Sequence, residues 1–321
     1  MRNKRTTIVL GQMVLDTVIH DNQISHLVNN QSLGGPPYFA GLVGIILSKM
    51  YSWVSSPLVY AYTCPQAITF LKKYPNFSKI MKNLNLRSEC PQFRLVYSDD
   101  KKERSLFLKN PPFQFNPDDF NWEFENSTVA IIGSIFHEFN NYEIFRFLKE
   151  RCSFIAFDPQ GCFRRPTSEG KIEFRYWWDP KIIENVNCLH MSELESKFLG
   201  FGKDPITIIK KTLDTPITSV ILTRGRHGAI LGFKNDKDKH VFNVPAYLEG
   251  NAIDETGAGD IFLFVYVTHF MAFQDELNAA AFATSVTSLF LEQKRPQIAF
   301  SEEIIHHRQE KIRANITESL K

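Results

Sequence analysis

Two carboxylates, Asp254 and Asp260, bracket a Thr-Gly-Ala-Gly turn in the stretch NAIDETGAGDIFLFVYVTHF (251–270). These residue types, in this order, suit a phosphate. Gly257, Ala258 and Gly259 are small enough for an anion to approach the backbone. At the mouth of a helix their N–H groups and the helix dipole attract negative charge. Asp260, one step further on, sits where a carboxylate could take the proton of an alcohol attacking that phosphate. The same residues also suit a plain corner, in which the glycines make a tight turn and Asp260 only favours the positive helix end. Local physics leaves both readings open. Asp254 is read as shaping the turn rather than as catalytic.

Three further polar clusters, TRGRHG (223–228), DPQGCFRR (158–165) and GSIFHE (133–138), follow short apolar runs that read as strands. Ligands of open α/β sheets bind at the carboxyl ends of strands, so these clusters are candidates to share one site. The elements that would position them are legible. Strands are expected over 8–10, 54–61, 129–133, 154–158, 188–191 and 219–223. Helices are expected over 38–50, 67–74, 141–151, 204–212, 258–273 and 276–292, with a last one capped by Ser301. Pro36 and Pro37 suit a helix start, where the missing N–H is not needed. The segments 228–234 and 239–244 read as a hairpin. Strands alternate with helices for most of the chain, which predicts an α/β sandwich with a mainly parallel central sheet. Two hairpin-like segments, near 12–32 and 92–110, break the alternation and are expected to form a small β lid on one domain spanning 1–321. Such a lid could exclude water from a site on closing, or serve as a homodimer contact.

Composition narrows the class. The chain has 321 residues, 43% of them hydrophobic, and a net charge of +2 from 37 basic and 35 acidic residues. No global field draws it to nucleic acid or an anionic membrane. The apolar run 261–273 is too short for the roughly 20 residues of a membrane span, and reads as a buried helix. Five cysteines without a C-x-x-C pair are read as reduced thiols, with a cytoplasmic location. The pair His306-His307 lacks partner ligands at metal spacing and is read as helix surface. The sequons at Asn76, Asn126 and Asn315 carry no weight without a secretory signal. No Walker-type G-x-x-x-x-G-K-[ST] and no G-x-G-x-x-G after the first strand is present, which disfavours a P-loop enzyme and a dinucleotide enzyme.

The stretch Asp254-Glu255-Thr256-Gly257-Ala258-Gly259-Asp260 resembles the D-x-T-G-A-G-D signature of ribokinase-like (PfkB-type) sugar kinases. The resemblance runs in order from about residue 6 to 295. GQMVLD resembles that family's first strand and its substrate-contacting Asp, here Asp16. Gly34-Gly35 resembles its N-terminal glycine pair, LTRGRHGAI its T-x-G-x-x-G nucleotide loop, and AAAFATSVTSLFL the helix closing the nucleotide site. The resemblance implies a three-layer ribokinase-like sandwich, ATP as donor and magnesium as cofactor. It also implies Asp260 as base, Gly257, Ala258 and Gly259 as anion hole, and Thr223, Gly225 and Gly228 at the nucleotide. Arg224 or Arg226 could meet a phosphate there, or either could be solvated.

One departure matters. The family's N-x-x-E motif appears here as Ser192-x-x-Glu195, so the expected place of Glu195 in a magnesium–water network rests on a changed partner. DPQGCFR resembles a stretch of the myo-inositol-kinase-like branch, and implies substrate contacts from Gln160 and Arg164, with Glu138 added from GSIFHE. The expected activity is phosphorylation of a hydroxyl of a sugar or cyclitol, leaning to myo-inositol. Ribose, fructose, a sugar phosphate and a nucleoside are the alternative acceptors. A non-catalytic sugar- or nucleotide-binding regulator is the alternative from another class.

Overall fold

The computed structural model describes residues 5–20, 31–73, 77, 83–97, 104–125, 128–236, 238–294 and 298–319. Its first half comprises β1 (Thr7–Gln12), β2 (Val14–His20), β3 (Gln31–Gly34), α1 (Pro36–Met50), β4 (Leu58–Thr63), α2 (Pro65–Leu71), β5 (Asn83–Leu86), β6 (Gln92–Tyr97), β7 (Arg104–Asn110), β8 (Val129–Gly133), α3 (Tyr142–Lys149) and β9 (Phe154–Asp158). Then come β10 (Arg164–Pro166), β11 (Ile172–Phe174), α4 (Pro180–Ile183), β12 (Cys188–Ser192), α5 (Glu193–Ser196), α6 (Pro205–Thr212), β13 (Ser219–Thr223), β14 (Ala229–Asn235), β15 (Asp238–Val244), α7 (Ala258–Phe273), α8 (Glu276–Leu291), α9 (Glu302–Ala314) and β16 (Thr317–Glu318).

The central sheet has the order β16-β15-β14-β13-β12-β9-β8-β1-β4-β5. From β13 to β5 every pairing is parallel, and β14, β15 and β16 add an antiparallel edge. The parallel strands read VAIIG, FIAFD and SVILT because both of their faces are covered. In β1, Val9 packs with α1, α7, α8 and α9 on one face, while Ile8 and Leu10 pack with α3, α4 and α6 on the other. This is the expected three-layer sandwich.

The second sheet has the order β3-β2-β6-β7 and is mixed: β2 pairs parallel with β6, while the outer pairings are antiparallel. It is the expected lid, built from the two segments that broke the alternation. Val14, Phe93 and Leu95 from this sheet pack with Ile135 from the loop after β8, which seats the lid beside the ends of the central strands. Residues 21–30 and 98–103 of the two lid segments, and the sequons at Asn76 and Asn126, lie outside the described residues.

Most expected elements stand within a residue or two of their observed bounds, and several details are corrected. The strand expected over 54–61 begins at Leu58, because Pro57 has no N–H for a ladder and the Val54 N–H is used in a turn to the Tyr51 carbonyl (3.1 Å). Helix α2 begins two residues early, at Pro65, and ends at Leu71. Ser301 occupies the N-cap position of α9 but makes no side-chain cap hydrogen bond. The cysteines are not all thiols: Cys64, at the end of β4, and Cys90, before β6, form a disulfide with Cα atoms 5.3 Å apart. Two cysteines separated by 26 residues of sequence meet because β2 places β6 beside the end of β4. Cys152, Cys162 and Cys188 are free, and the argument for a reducing compartment from five free thiols falls. Among the described residues no helix is long and apolar enough to cross a membrane. The run 261–273 is a core helix, buried almost throughout. His306 and His307 are exposed on α9, with the His306 ring edge-on to Tyr51.

Candidate active site

The turn before α7 is set by local chemistry. The Asp254 carboxylate accepts the Thr256 N–H at 2.9 Å, an Asx turn that starts the corner. Gly257 has φ 84°, and a Cβ there would run into the Phe39 ring, so only glycine fits. Ala258 N–H donates back to the Glu255 carbonyl at 3.2 Å, and Ile261 N–H makes the first bond to the Gly257 carbonyl at 3.0 Å. The N–H groups of Gly259 and Asp260 have no such backbone acceptor among the described residues. Of the expected Gly257–Gly259 set the Ala258 N–H is already engaged, and the N–H groups of Gly257, Gly259 and Asp260 are the ones left open to an anion among the described residues.

Asp260 stands where three elements end or begin. A Cβ built on Gly133, at the end of β8, would meet the Pro36 ring and lie 3.8 Å from the Asp260 carboxylate. Burial pushes the Asp260 carboxyl well above the usual carboxylate range. Asp158 raises it further, Arg164 pulls it back, and Asp16 and Glu195 add to the rise. These interactions place four acids and one arginine around one point.

A cavity of about 260 Å³ opens on that point. From the lid it takes Val14, Asp16, Phe93, Leu95 and Leu106, and from the central body Gly35, Ile135, Asp158, Gln160, Arg164, His190 and Glu195, with the turn 256–260 as floor. Gly34 and Gly35 let the backbone pack closely beside the lid. A Cβ at Gly34 would touch the Asp16 carboxylate, and at Gly35, with φ 94°, it would overlap the Gln12 carbonyl. The Arg164 guanidinium donates to the Ile135 carbonyl at 2.9 Å and lies 5.4 Å from the centre of the Phe93 ring.

Glu138 does not face this cavity, which corrects its expected role at the substrate. It is 1% exposed. Its two oxygens accept the N–H groups of Ile135 (2.6 Å) and Phe136 (2.7 Å) and the Ser134 hydroxyl (3.0 Å). The carboxylate is spent on holding the turn after β8.

Ser192 and Glu195 form a capping box on α5: the Glu195 carboxylate accepts the Ser192 N–H (2.8 Å) and the Ser192 hydroxyl accepts the Glu195 N–H (3.2 Å). Glu195 is buried at the cavity wall rather than on an exposed helix face, and burial, then Asp158, raise its carboxyl above the usual range. No group of three His, Cys, Asp or Glu side chains among the described residues could hold a metal ion directly. Glu195 and Asp260 fit a magnesium ion that keeps its water and phosphate ligands, with the carboxylates accepting from the water.

A second cavity, of about 250 Å³, lies on the other side of the turn and shares Thr223, Glu255, Ala258 and Gly259 with the first. Gly225, Arg226 and Gly228 line it, as do Tyr247, Leu248, Phe262, Thr284, Thr287, Ser288 and Leu291. The expected nucleotide-loop residues and the expected closing helix, α8, thus meet around one apolar slot. Arg226 reaches this cavity, whereas Arg224 hydrogen-bonds the His227 carbonyl (3.2 Å) and Asn243 (3.3 Å).

Sequence reasoning missed three features. Asp158 was legible only as part of DPQG. His190 carries no signal, being one histidine in an apolar strand, yet its Nδ1 lies 2.7 Å from the Asp158 carboxylate. The apolar lid wall of Val14, Phe93, Leu95 and Leu106 could not be told from ordinary strand alternation.

No family model matches the sequence, and no curated protein matches it. Solved structures do. A pyrophosphate-dependent kinase of the ribokinase family, complexed with a pyrophosphate analogue and myo-inositol, superposes with a TM-score of 0.70 at 16% identity over 94% of this chain and 100% of that one. Ribokinase from Thermotoga maritima gives 0.69 at 13% identity over 95% and 99%. The nucleoside kinase of Methanocaldococcus jannaschii, an archaeal member of the ribokinase family, gives 0.67 at 18% identity over 96% and 99%.

Proposed function

Starting from a chain with the ribokinase-like fold, we propose that this protein is a kinase that transfers the γ-phosphoryl group of ATP to a hydroxyl of a small polyol. One observation carries the reading: a half-buried, proton-attracting carboxylate, Asp260, lies at the floor between two cavities that share the turn Ala258-Gly259. The acceptor enters the lid-side cavity and the donor enters the slot beside α8. Asp260 takes the proton of the acceptor hydroxyl. That oxygen attacks the γ-phosphorus in line, the bond from phosphorus to the β–γ bridging oxygen breaks, and ADP leaves with the bonding pair. The N–H groups of Gly259 and Asp260 and the α7 dipole face the negative charge on the transferring group. Glu195 would hold a water of a bound magnesium ion, which would supply charge neutralisation at the donor phosphates.

The apolar slot lined by Tyr247, Leu248, Phe262 and Leu291 supports a donor with a nucleobase over bare pyrophosphate, which has nothing to place there. On the acceptor side Asp16, Gln160 and Arg164 supply the polar set that a cyclitol needs, so myo-inositol is the first candidate. A second reading is supported by the lid wall: Val14, Phe93, Leu95 and Leu106 would suit the base of a nucleoside. The lid sheet is also the surface through which we propose a homodimer, which sedimentation would measure. We take the lid and the central body as one kinase domain.

The test is ADP release from magnesium-ATP with a panel of cyclitols, sugars, sugar phosphates and nucleosides, with pyrophosphate as alternative donor and Asp260→Asn as control. Turnover of one acceptor class above the Asp260→Asn background is expected. No turnover of any acceptor with either donor would favour a non-catalytic binding protein instead.

A further inference from the structure

His190 lies in the middle of β12, 2% exposed, and lines the lid-side cavity. Its Nδ1 is 2.7 Å from the Asp158 carboxylate. The second oxygen of Asp158 accepts the Gln160 N–H at 2.9 Å, so the carboxylate is held from both sides and cannot swing away. With the carboxylate oxygen as acceptor, Nδ1 is the donor of this bond. The other ring nitrogen, Nε2, is buried and has no hydrogen-bond partner among the described residues. A buried polar atom left unmatched costs free energy, which calls for a partner that arrives from outside.

The ring sits directly beneath the phosphate turn. A Cβ built on Gly259 would lie 3.0 Å from His190 Cε1 and 3.8 Å from Nε2. The ring is nearly parallel to Phe262, at 18° with centroids 6.4 Å apart, and Phe262 lines the donor slot. His190 therefore stands between the two cavities, against the backbone that would cradle the group in transit.

We propose that His190, oriented by Asp158, donates a hydrogen bond from Nε2 to the phosphoryl group during transfer. The inference rests on the kinase reading above. With Nδ1 already protonated, a donating Nε2–H means an imidazolium, so the transferring group and one proton bind together. The charged groups facing the ring region are Asp158 from β9, Arg164 from β10, Glu195 from α5 and Asp260 from α7.

The test uses the full chain and three variants. In His190→Phe, which keeps the ring volume but has no donor, kcat is expected to fall about 100-fold or more, the size seen when one donor to a developing anion is removed. Both KM values should stay within about threefold, since the bond matters in transfer rather than in ground-state binding. His190→Gln, whose amide can donate from a similar reach, should recover at least about tenfold over the phenylalanine variant. A second measurement needs no acceptor. Binding of magnesium-ADP should tighten when aluminium fluoride is added as a phosphoryl mimic. By calorimetry in buffers of different ionisation enthalpy, that tightening should come with proton uptake in the wild type and Asp260→Asn, and without it in His190→Phe. A phenylalanine variant with kcat within threefold of wild type, or with the same tightening and proton uptake, would overturn the role of His190 alone. A wild type that binds no ADP would overturn the kinase reading and this proposal with it.

Discussion

Ser192 and Glu195 hold each other in a reciprocal capping box at the wall of the lid-side cavity, with hydrogen bonds of 2.8 and 3.2 Å. The hydroxyl thus takes over a job at the start of α5 that any short side chain with an acceptor oxygen can do. It also sets the position of a buried carboxylate facing Asp158 and Asp260. Ser192→Ala is expected to cost about 1 kcal/mol, the usual loss for an N-cap, and Ser192→Asn almost none. Thermal melts would measure both. If Ser192→Asn loses as much stability as the alanine variant, the capping role is wrong.

Asp260→Asn should remove turnover by about 10² to 10⁴, the range for a general base, while binding of magnesium-ADP is retained. Loss of ADP binding instead would show that the residue builds the pocket rather than takes the proton.

The same substitution should stabilise the protein at alkaline pH. Burial and the neighbouring acids raise the Asp260 carboxyl well above its unfolded value, so folding favours the protonated form. As pH rises from the ordinary carboxylate range through the raised value, the folded wild type must ionise Asp260 at a cost, and it loses stability that the neutral amide does not lose. The melting temperature of Asp260→Asn is therefore expected to exceed that of wild type at high pH, and the gap to close as pH falls to the ordinary carboxylate range. A gap that is constant with pH would contradict the assignment.

The pH profile of kcat/KM follows from the same balance. A base must be ionised, so activity should fall as pH falls, with the acidic limb above the usual carboxylate range. Arg164 pulls the Asp260 carboxyl down. Arg164→Gln should therefore move the limb to higher pH, apart from any loss of acceptor binding. A limb that stays in place would mean that another group sets it.

Arg308, 3% exposed on α9, clamps the donor slot from behind. Its guanidinium donates to Ser288 (2.9 Å), to both oxygens of Glu292 (2.8 and 3.2 Å) and to Glu249 (3.0 Å), and Glu292 in turn accepts the N–H groups of Glu249 and Gly250. Tyr247 and Leu248, the residues just before that loop, line the slot. Arg308→Met is expected to raise KM for ATP about tenfold with little change for the acceptor, and to lower the melting temperature, chiefly through Glu292 left without its partner. An equal rise in both KM values would point to general loosening.

The part of this protein that sequence alone determined is local. Gly257, Ala258, Gly259 and Asp260 follow one another in the chain, and α7 begins where an Asx turn and an αL glycine must place it. The parallel strands are legible because burial on both faces leaves continuous apolar runs. Even the lid announces itself as the two segments that interrupt the alternation. What tertiary structure decided is pairing across distance. Glu138 looked available, but three donors within its own loop consume it. Cys64 and Cys90 looked unrelated, but the passage of the chain from β1 in one sheet to β2 in the other sets β6 beside the end of β4 and brings them together. His190 and Asp158 are 32 residues apart and become partners only because β12 and β9 are neighbours in register. Side-chain chemistry states what a residue can do; the order of strands decides which other residue is close enough to make it do so.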